Sequence, residues 1–298
     1  MKTPRSRPIR LALVAILVAT TGGMATAASP AESELRRALT FHASFDGVVD
    51  ADFALGDRRL WHAPDMKQRT NATPGLPPGD AVSHAKSRGR FGDALRFTER
   101  KTPLVFFKAA KNVAYRARNW SGAVSLWLCV DPAAELEPGF CDPIQITPRA
   151  WNDAAFFVEF EKRKEDIPFR LGAYADFKVW NPNNRKWEEI PAIDKPLITV
   201  SKPPFARGKW THVVFTWEDF NTGKPEGVAR LYLDGKWAGA LEPSLQTYTW
   251  EPEHTLVMLG LSYIGLWDEL SCFNRALTDE EVNVLYALPG GVKPLLHP

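Results

Sequence analysis

The chain has 298 residues, 45% hydrophobic and 24% charged, which is ordinary for a globular protein. Its 11 Trp and 17 Phe residues suit a β-sandwich core, or surfaces on which sugars stack, or both. Without the four basic residues of the first 27, 33 Lys and Arg face 35 Asp and Glu, a formal net charge of −2. This balance argues against a nucleic-acid partner, which would require a basic face.

Residues 1–27 have the pattern of a secretory signal peptide. Four basic residues precede the short apolar run Leu11–Ala19, and Ala25-Thr26-Ala27 supplies small residues at a cleavage site. The apolar run is shorter than the roughly 20 residues that a membrane-spanning helix needs. We therefore predict export to the periplasm, the cell surface or the medium, with a membrane anchor as the rival interpretation and no span in the mature chain.

A short helical lead-in is predicted at residues 28–38, where Ser29 and Glu32 fit a capping box around Pro30. Residues 39–290 then form a single predicted domain, and residues 291–298 a C-terminal tail. Long surface loops are expected at residues 48–90, with one or two short strands, and at residues 181–207. The strands predicted within the domain are Leu39–Phe45, Ala94–Phe97, Pro103–Phe107, Trp120–Val130, Ala154–Glu161, Phe169–Val179, Thr255–Gly260 and Ser262–Phe273.

The clearest local signal lies at residues 209–240. Alternating β-branched and aromatic residues fill residues 210–217, and a second alternating run ends in Asp234-Gly235. Such a run ending in Asp-Gly predicts a β-hairpin with a type I′ turn, since both turn residues need positive φ.

The last predicted element is a helix after Thr278, where Thr278 and Glu281 fit a second capping box. Strands recur along the chain with this one closing helix, and no change of composition marks a domain boundary. The sequence therefore predicts an all-β fold, a two-sheet antiparallel sandwich of the jelly-roll type.

Three cysteines, Cys129, Cys141 and Cys272, leave the redox state open. Export permits a disulfide, and Cys129 and Cys141 are near enough in the sequence to pair. The alternative is three small apolar side chains in strands.

Several short motifs occur in a recognisable order. They are Phe45-Asp46-Gly47, Gly89-Arg90-Phe91-Gly92-Asp93-Ala94-Leu95, Val124-Ser125-Leu126-Trp127-Leu128, Trp210-Thr211-His212-Val213-Val214, Leu231-Tyr232-Leu233-Asp234-Gly235-Lys236, Trp267-Asp268-Glu269-Leu270 and Phe273-Asn274-Arg275-Ala276-Leu277-Thr278-Asp279-Glu280-Glu281-Val282. The set resembles the laminin-G-like jelly roll of the concanavalin A-like lectin/glucanase superfamily. The resemblance implies two curved antiparallel sheets that bind glycans or proteins, often with a calcium ion, and some branches of the superfamily are glycoside hydrolases.

Catalytic residues are assigned to no position. The hydrolase branch carries a Glu-x-Asp-x-x-Glu pattern, and the sequence has none. Glu159 and Glu161 have the spacing that puts two carboxylates on one face of a strand, but they run into a Lys- and Arg-rich turn and are expected to be a solvated strand end. His212 lies on a strand without a placed Ser or Cys, and we expect it to be structural.

A structural calcium ion is the one cofactor predicted, and it rests on the resemblance. Asp46 and Asp268 match the Asp after the first strand and the Asp of the late Asp-Glu pair, which lie near each other in the family. Calcium takes 6–8 oxygen ligands, several of which loop carbonyls can supply. The alternative is that both carboxylates cap turns or accept hydrogen bonds from a neighbouring strand.

Five aromatic residues in loop-like or polar segments form the candidate ligand platform: Trp151, Trp180, Trp187, Tyr248 and Trp250. Sugars stack on exposed aromatic faces, but Trp residues in β-sandwiches also pack cores and cover loops. The first hypothesis is a secreted, non-catalytic module that binds a polysaccharide or glycoconjugate. The alternatives are an adhesive or structural protein with an extracellular protein partner, and a divergent glycoside hydrolase or lyase.

Overall fold

The computed structural model describes residues 29–296. The predicted signal peptide at residues 1–27 lies outside the described residues, as does the end of the predicted tail. Among residues 29–296, no helix is long and apolar enough to cross a lipid bilayer.

Two antiparallel sheets make up the fold, which confirms the predicted jelly-roll sandwich. The nine strands of the first sheet are β1 (Leu39–Ala43), β2 (Phe53–Ala54), β5 (Val82–Ala85), β6 (Ala94–Phe97), β8 (Trp120–Cys129), β13 (Trp210–Phe220), β14 (Val228–Leu233), β15 (Lys236–Ala240) and β17 (Gly265–Phe273). Their order is β15-β14-β13-β8-β17-β1-β2, with β6 also paired to β17 and β5 to β6.

The second sheet has eight strands. They are β3 (Trp61–Ala63), β4 (Thr73–Pro74), β7 (Leu104–Lys108), β9 (Gly139–Thr147), β10 (Ala155–Lys162), β11 (Phe169–Tyr174), β12 (Leu197–Val200) and β16 (Leu256–Leu261). Their order is β12-β11-β10-β9-β16-β7-β3-β4, so β9 to β12 form one half of the sheet.

Period-two alternation places the core between the sheets. On β13, Val213, Phe215 and Trp217 are fully buried against the second sheet, whereas Val214 belongs to a separate apolar cluster on the outer face. Both faces of this strand are therefore covered. Gly122 on β8 makes room for Trp217, because a Cβ at Gly122 would lie 2.2 Å from Cζ2 of that ring.

Five α-helices lie within residues 29–296, and three of them cover the outer face of the first sheet. The helices are α1 (Pro30–Ala38), α2 (Pro132–Glu135), α3 (Phe177–Trp180), α4 (Asp279–Ala287) and α5 (Lys293–Leu296). Helices α1, α4 and α5 contribute Leu35, Leu285 and Leu295 to the outer apolar cluster that contains Val214. Both predicted capping boxes, Ser29 with Glu32 and Thr278 with Glu281, are present.

The predicted hairpin is also confirmed. Leu233 pairs with Lys236, and Asp234 and Gly235 between them have φ of 50° and 76°, as a type I′ turn requires.

Several sequence expectations differ from the structure: no strand is predicted at β9, and the predicted tail at residues 291–298 contains α5. The predicted loop at residues 48–90 contains four short strands, and the loop at residues 181–207 contains β12 as well as two turns of 3₁₀-helix. The strand predicted as Phe169–Val179 ends at Tyr174, after which the chain turns into α3. All three cysteines are free thiols, which favours the apolar interpretation over a disulfide between Cys129 and Cys141.

Candidate functional site

An open groove lies on the outer face of the second sheet, over strands β9 to β12. Its cavity has a volume of about 570 Å³. The residues that line it are Phe140, Asp142, Gln145, Trp151, Phe157, Glu159, Glu161, Arg163, Arg170, Tyr174, Trp187, Glu188 and Leu197. The 3₁₀-helix Trp187–Glu189 contributes Trp187 and Glu188 to the lining of this groove.

Strand alternation explains how β10 builds the groove floor. Phe156, Val158 and Phe160 point into the core between the sheets, so Phe157, Glu159 and Glu161 share the opposite face. Glu159 and Glu161 therefore lie side by side on the floor of the groove.

A bulge in β9 brings Asp142 to the same floor. Val158 pairs with Ile144, but Phe160 pairs with Cys141, so β9 has one extra residue opposite Glu159. An extra residue reverses which side chains face the core, because the side-chain period of a strand is two. Cys141 consequently faces the core while its neighbour Asp142 lines the groove.

Aromatic rings form one wall of the groove. The rings of Phe157 and Tyr174 are stacked with centroids 5.5 Å apart, and Trp151 meets Tyr174 edge-on at 5.6 Å. Gly172, opposite Phe157 in the strand register, permits this arrangement, since a Cβ there would lie 2.3 Å from Cζ of Phe157. Trp151 is 51% exposed and offers an open ring at the side of the cavity.

Charged side chains form the rest of the floor. The guanidinium of Arg170 donates to Glu159 at 2.6 Å and contacts Glu161 at 2.7 Å, and Glu161 also pairs with Arg163. Burial raises the pKa of Glu159, and the charge of Arg170 opposes that rise. Burial, followed by the charge of Glu159, raises the pKa of Asp142 well above its usual range. Paired acids in a cavity of this kind can accept hydrogen bonds from sugar hydroxyls or exchange protons with a ligand.

The structure divides the five predicted platform residues. Trp151 and Trp187 line the same groove. Trp180 is partly buried beside it, where its indole N–H donates to the carbonyl of Asn152 and its ring meets Tyr174 edge-on.

Tyr248 and Trp250 require a correction, because their rings are only 1% and 5% exposed. Tyr248 stacks on Phe156 with centroids 5.0 Å apart, and the indole N–H of Trp250 donates to the carbonyl of Ala154. Their polar surroundings in the sequence suggested exposed rings, but the segment that carries them inserts into the core. Neither ring offers a stacking face.

The expectation for Glu159 is also corrected, because the residue is 6% exposed and not a solvated strand end. Asp142, Glu161 and Arg170 also line the groove, and the sequence alone does not identify them as site residues. The available signal was an Arg on the strand that follows Glu159 and Glu161, which the register places directly opposite Glu159.

A larger cavity of about 970 Å³ lies elsewhere, at the loops around Tyr115 and Trp250. Its central Arg149 is already paired with Asp176 at 2.9 Å and donates to the carbonyl of Thr249. The aromatic rings beside this cavity are mostly part of the core, so it presents fewer exposed ring faces to a ligand than the groove does.

Asp46 and Asp268 both hold the Gly89–Asp93 turn. Asp46 accepts the backbone N–H of Asp93, and Asp268 accepts those of Arg90, Phe91 and Glu269. These contacts match the alternative in which the two carboxylates cap turns and accept hydrogen bonds from neighbouring backbone. Both carboxylates already accept hydrogen bonds from backbone N–H groups, so calcium, which takes 6–8 oxygen ligands, would have to bind through their remaining lone pairs and through loop carbonyls. Within residues 29–296, no group of three or more His, Cys, Asp or Glu side chains is arranged to hold a metal ion.

Comparison with known proteins identifies the family. A laminin G profile described as the concanavalin A-like lectin/glucanases superfamily matches residues 124–283, more than half of the chain. No curated protein sequence matches.

Solved structures share the fold at low sequence identity. Domain 4 of an extracellular arabinanase from Geobacillus stearothermophilus, in complex with arabinotriose, is 15% identical with a TM-score of 0.52, over 83% of this chain and 97% of that one. The ligand binding domain of botulinum neurotoxin serotype D, in complex with N-acetylneuraminic acid, is 12% identical with a TM-score of 0.53, over 86% of this chain. This chain spans about half (52%) of the neurotoxin domain.

Proposed function

Because the chain belongs to the laminin G-like family of the concanavalin A-like lectin/glucanase superfamily, we propose that it is an exported, non-catalytic glycan-binding module that holds its ligand in the groove of the second sheet. The observation that carries the proposal is one cavity that combines the exposed ring of Trp151 and the half-buried ring of Trp187 with several polar groups. The arabinanase domain and the neurotoxin domain, which have this fold and whose structures contain a saccharide, support it by analogy.

The groove has the two properties that carbohydrate recognition needs. Trp151 and Trp187 present apolar ring faces to the C–H groups of a sugar. The carboxyl groups of Asp142 and Glu161 and the amide of Gln145 then supply acceptors and donors for its hydroxyl groups. Few, well-placed polar groups in an aromatic-lined cleft are typical of small-molecule sites.

The test is a glycan array followed by calorimetry on the strongest hits. We expect Trp187→Ala to weaken binding strongly and Trp180→Ala to weaken it less, because Trp187 lines the cavity and Trp180 does not. Both variants binding as tightly as wild type would contradict the proposal. An array without hits, together with capture of an extracellular protein, would favour the adhesive alternative instead.

Glycoside hydrolysis or lysis is the second candidate, and the acids Asp142 and Glu159 favour it. Both are groove residues whose pKa is raised, and a glycosidase needs one carboxyl group that stays protonated as the general acid. The contact between Glu159 and Arg170 at 2.6 Å argues against Glu159 as the general acid, since Arg170 stabilises the ionised form of that carboxyl group. Release of reducing ends from a polysaccharide panel, abolished by Asp142→Asn and by Glu159→Gln, would establish this function and replace the first.

Calcium binding by Asp46 and Asp268 remains a prediction, although the N–H groups that both carboxylates accept do not favour it. Titration of the chelator-treated protein with Ca²⁺ tests it, with Asp46→Asn as the variant. Absence of binding heat and of any rise in melting temperature would show that these two residues do not bind calcium.

Export is supported by the residues at the N-terminus, four of them basic, before a short apolar run. Expression of the full chain followed by N-terminal sequencing of the exported protein should show cleavage after Ala27. Retention of an uncleaved chain in the membrane fraction would support the anchor instead.

A further inference from the structure

A smaller cavity, here called the side cavity, borders the groove on the outer face of the second sheet. Its volume is about 370 Å³, and its lining includes the apolar side chains of Met66, Met258 and Leu261. Gln145 and Trp151 line both the side cavity and the groove. A ligand that enters both cavities would therefore contact these two side chains where it passes from one cavity to the other.

The strand register shows that the two cavities meet along one strand boundary. Strands β9 and β16 are hydrogen-bonded neighbours, with Gln145 opposite Met258 and Asp142 opposite Leu261. Asp142 and Gln145 line the groove, whereas Met258 and Leu261 line the side cavity. Side chains directly opposite each other in an antiparallel pair have their Cβ atoms about 4.5–5.5 Å apart. The floor of the groove therefore continues directly into the floor of the side cavity.

The joined cavities run across the strands. The groove reaches β12 through Leu197, and the side cavity reaches β7 through Leu104. The strand order between them is β12-β11-β10-β9-β16-β7, and with strands about 4.8 Å apart the floor is roughly 24 Å long. A sugar unit in an extended chain advances by about 5 Å, close to one strand spacing. The groove thus matches about three units, and the side cavity about two more.

The ring of Trp151 is held at the junction by the turn between β9 and β10. The hydroxyl group of Thr147 accepts the backbone N–H of Arg149 and donates to the carbonyl of Asp153. The guanidinium of Arg149 lies 3.5 Å from the carboxylate of Asp153 and 2.9 Å from that of Asp176. These contacts fix both ends of the turn before a ligand arrives, so ordering of Trp151 takes little from the binding free energy.

We infer that the side cavity is a second subsite of the glycan site, and that one linear polysaccharide chain occupies both subsites by crossing the strands. This inference rests on the proposed glycan-binding function and narrows its ligand to linear chains of about five or more units. Half-buried Met66 and Leu261 supply apolar contacts for the C–H groups of the added units. Thr102 and Gln145 supply polar groups for their hydroxyls.

The dependence of affinity on chain length tests the inference. The probes are linear oligosaccharides, from dimers to hexamers, of cellulose, chitin, xylan and arabinan, and calorimetry with the full chain measures their affinities. In each series that binds, we expect the affinity to rise about tenfold from the trimer to the pentamer and to change little at the hexamer. The reason is that the fourth and fifth units bury apolar surface of the side cavity.

The double variant Met66→Ala/Leu261→Ala should remove this gain. We expect its affinity for the pentamer to fall about tenfold and its affinity for the trimer to stay within about twofold of wild type. Each single variant serves if the double variant does not fold, with a smaller loss confined to the pentamer. Leu245→Ala is the matched control, because Leu245 is 41% exposed and lines neither cavity. Trp151→Ala should weaken binding of both oligomers, because its ring lines both cavities.

The outcomes separate this inference from the proposed function. An affinity that levels off at the trimer, or rises by less than about twofold beyond it, would overturn the inference and leave glycan binding intact. A tenfold gain that persists in the double variant would place the added units elsewhere on the protein and would also overturn it. No binding in any of the series would overturn the inference, and an empty glycan array in addition would overturn the proposed function.

Discussion

Replacement of Trp151 by Ala separates stacking from general charge attraction. A Trp side chain presents on the order of 200 Å² of surface, and 51% of Trp151 is exposed. A sugar that covers one face would bury about half of that exposed area, or roughly 50 Å². At about 25 cal/mol per Å², the lost contact amounts to about 1.3 kcal/mol, which is close to a tenfold loss of affinity.

The same substitution should leave the fold intact. The buried half of the ring contributes roughly 2 kcal/mol to the free energy of unfolding, part of it through the edge-on contact with Tyr174. That is well below the 5–15 kcal/mol (roughly) by which a typical domain is stable. Calorimetric titration with the best array hit, at a temperature below the melting transition of both proteins, measures the effect.

Trp237→Ala is the matched control for this experiment. Trp237 is 62% exposed, similar to Trp151, but it lies on β15 in the first sheet and not in the groove. We expect Trp237→Ala to bind like wild type. If Trp151→Ala folds and also binds within about twofold of wild type, then the ring does not stack on the ligand and the groove is misassigned.

Three further predictions concern stability. Gly172→Ala should lower the free energy of unfolding by about 1–3 kcal/mol and weaken glycan binding, because the new methyl group displaces Phe157 into the groove. An unchanged melting temperature together with an unchanged affinity in calorimetric titration would contradict this prediction. Arg170→Met should cost about 3–5 kcal/mol at neutral pH by leaving Glu159 without its partner, and less in acid, where Glu159 takes up a proton; an equal loss in urea unfolding at both pH values would argue against a buried charge pair. Burial lowers the pKa of His212 to about 3, so below pH 6.5 the unfolded chain binds a proton that the folded chain does not, and the free energy of unfolding falls as the pH falls. His212→Gln should show a smaller fall, and parallel curves of unfolding free energy against pH for the two proteins between pH 6.5 and about 3 would refute this prediction.

The sequence predicts elements whose signal is local. Alternation in residues 210–217, the Asp234-Gly235 turn and the capping box at Thr278 each depend on neighbours within a few residues, and all three are present. Strands β2 and β4, with two residues each, are too short for any period to appear, and only pairing with distant strands defines them.

The groove cannot be predicted from local patterns, because its residues come together only through the pairing of strands. Glu159 is buried and paired because the register sets Arg170 opposite it, eleven residues away. Asp142 faces the cavity because of a bulge that the residue alternation of β9 does not predict. The one local hint is Pro143 beside it, because Pro has no N–H to donate to a strand ladder. Tyr248 was predicted to be exposed because its neighbours in the sequence are polar, but its ring enters the core from a segment without strand structure.

The helices on the first sheet have a practical consequence. Helices α1 and α5, at either end of the described chain, pack into one apolar cluster with α4, on the side of the sandwich opposite the groove. A tag, a fusion partner or a solid support joined directly before Ser29 or directly after Leu296 would therefore lie on the face away from the groove. The sugar-facing side would stay accessible, so tethered protein should capture ligand as well as protein free in solution does.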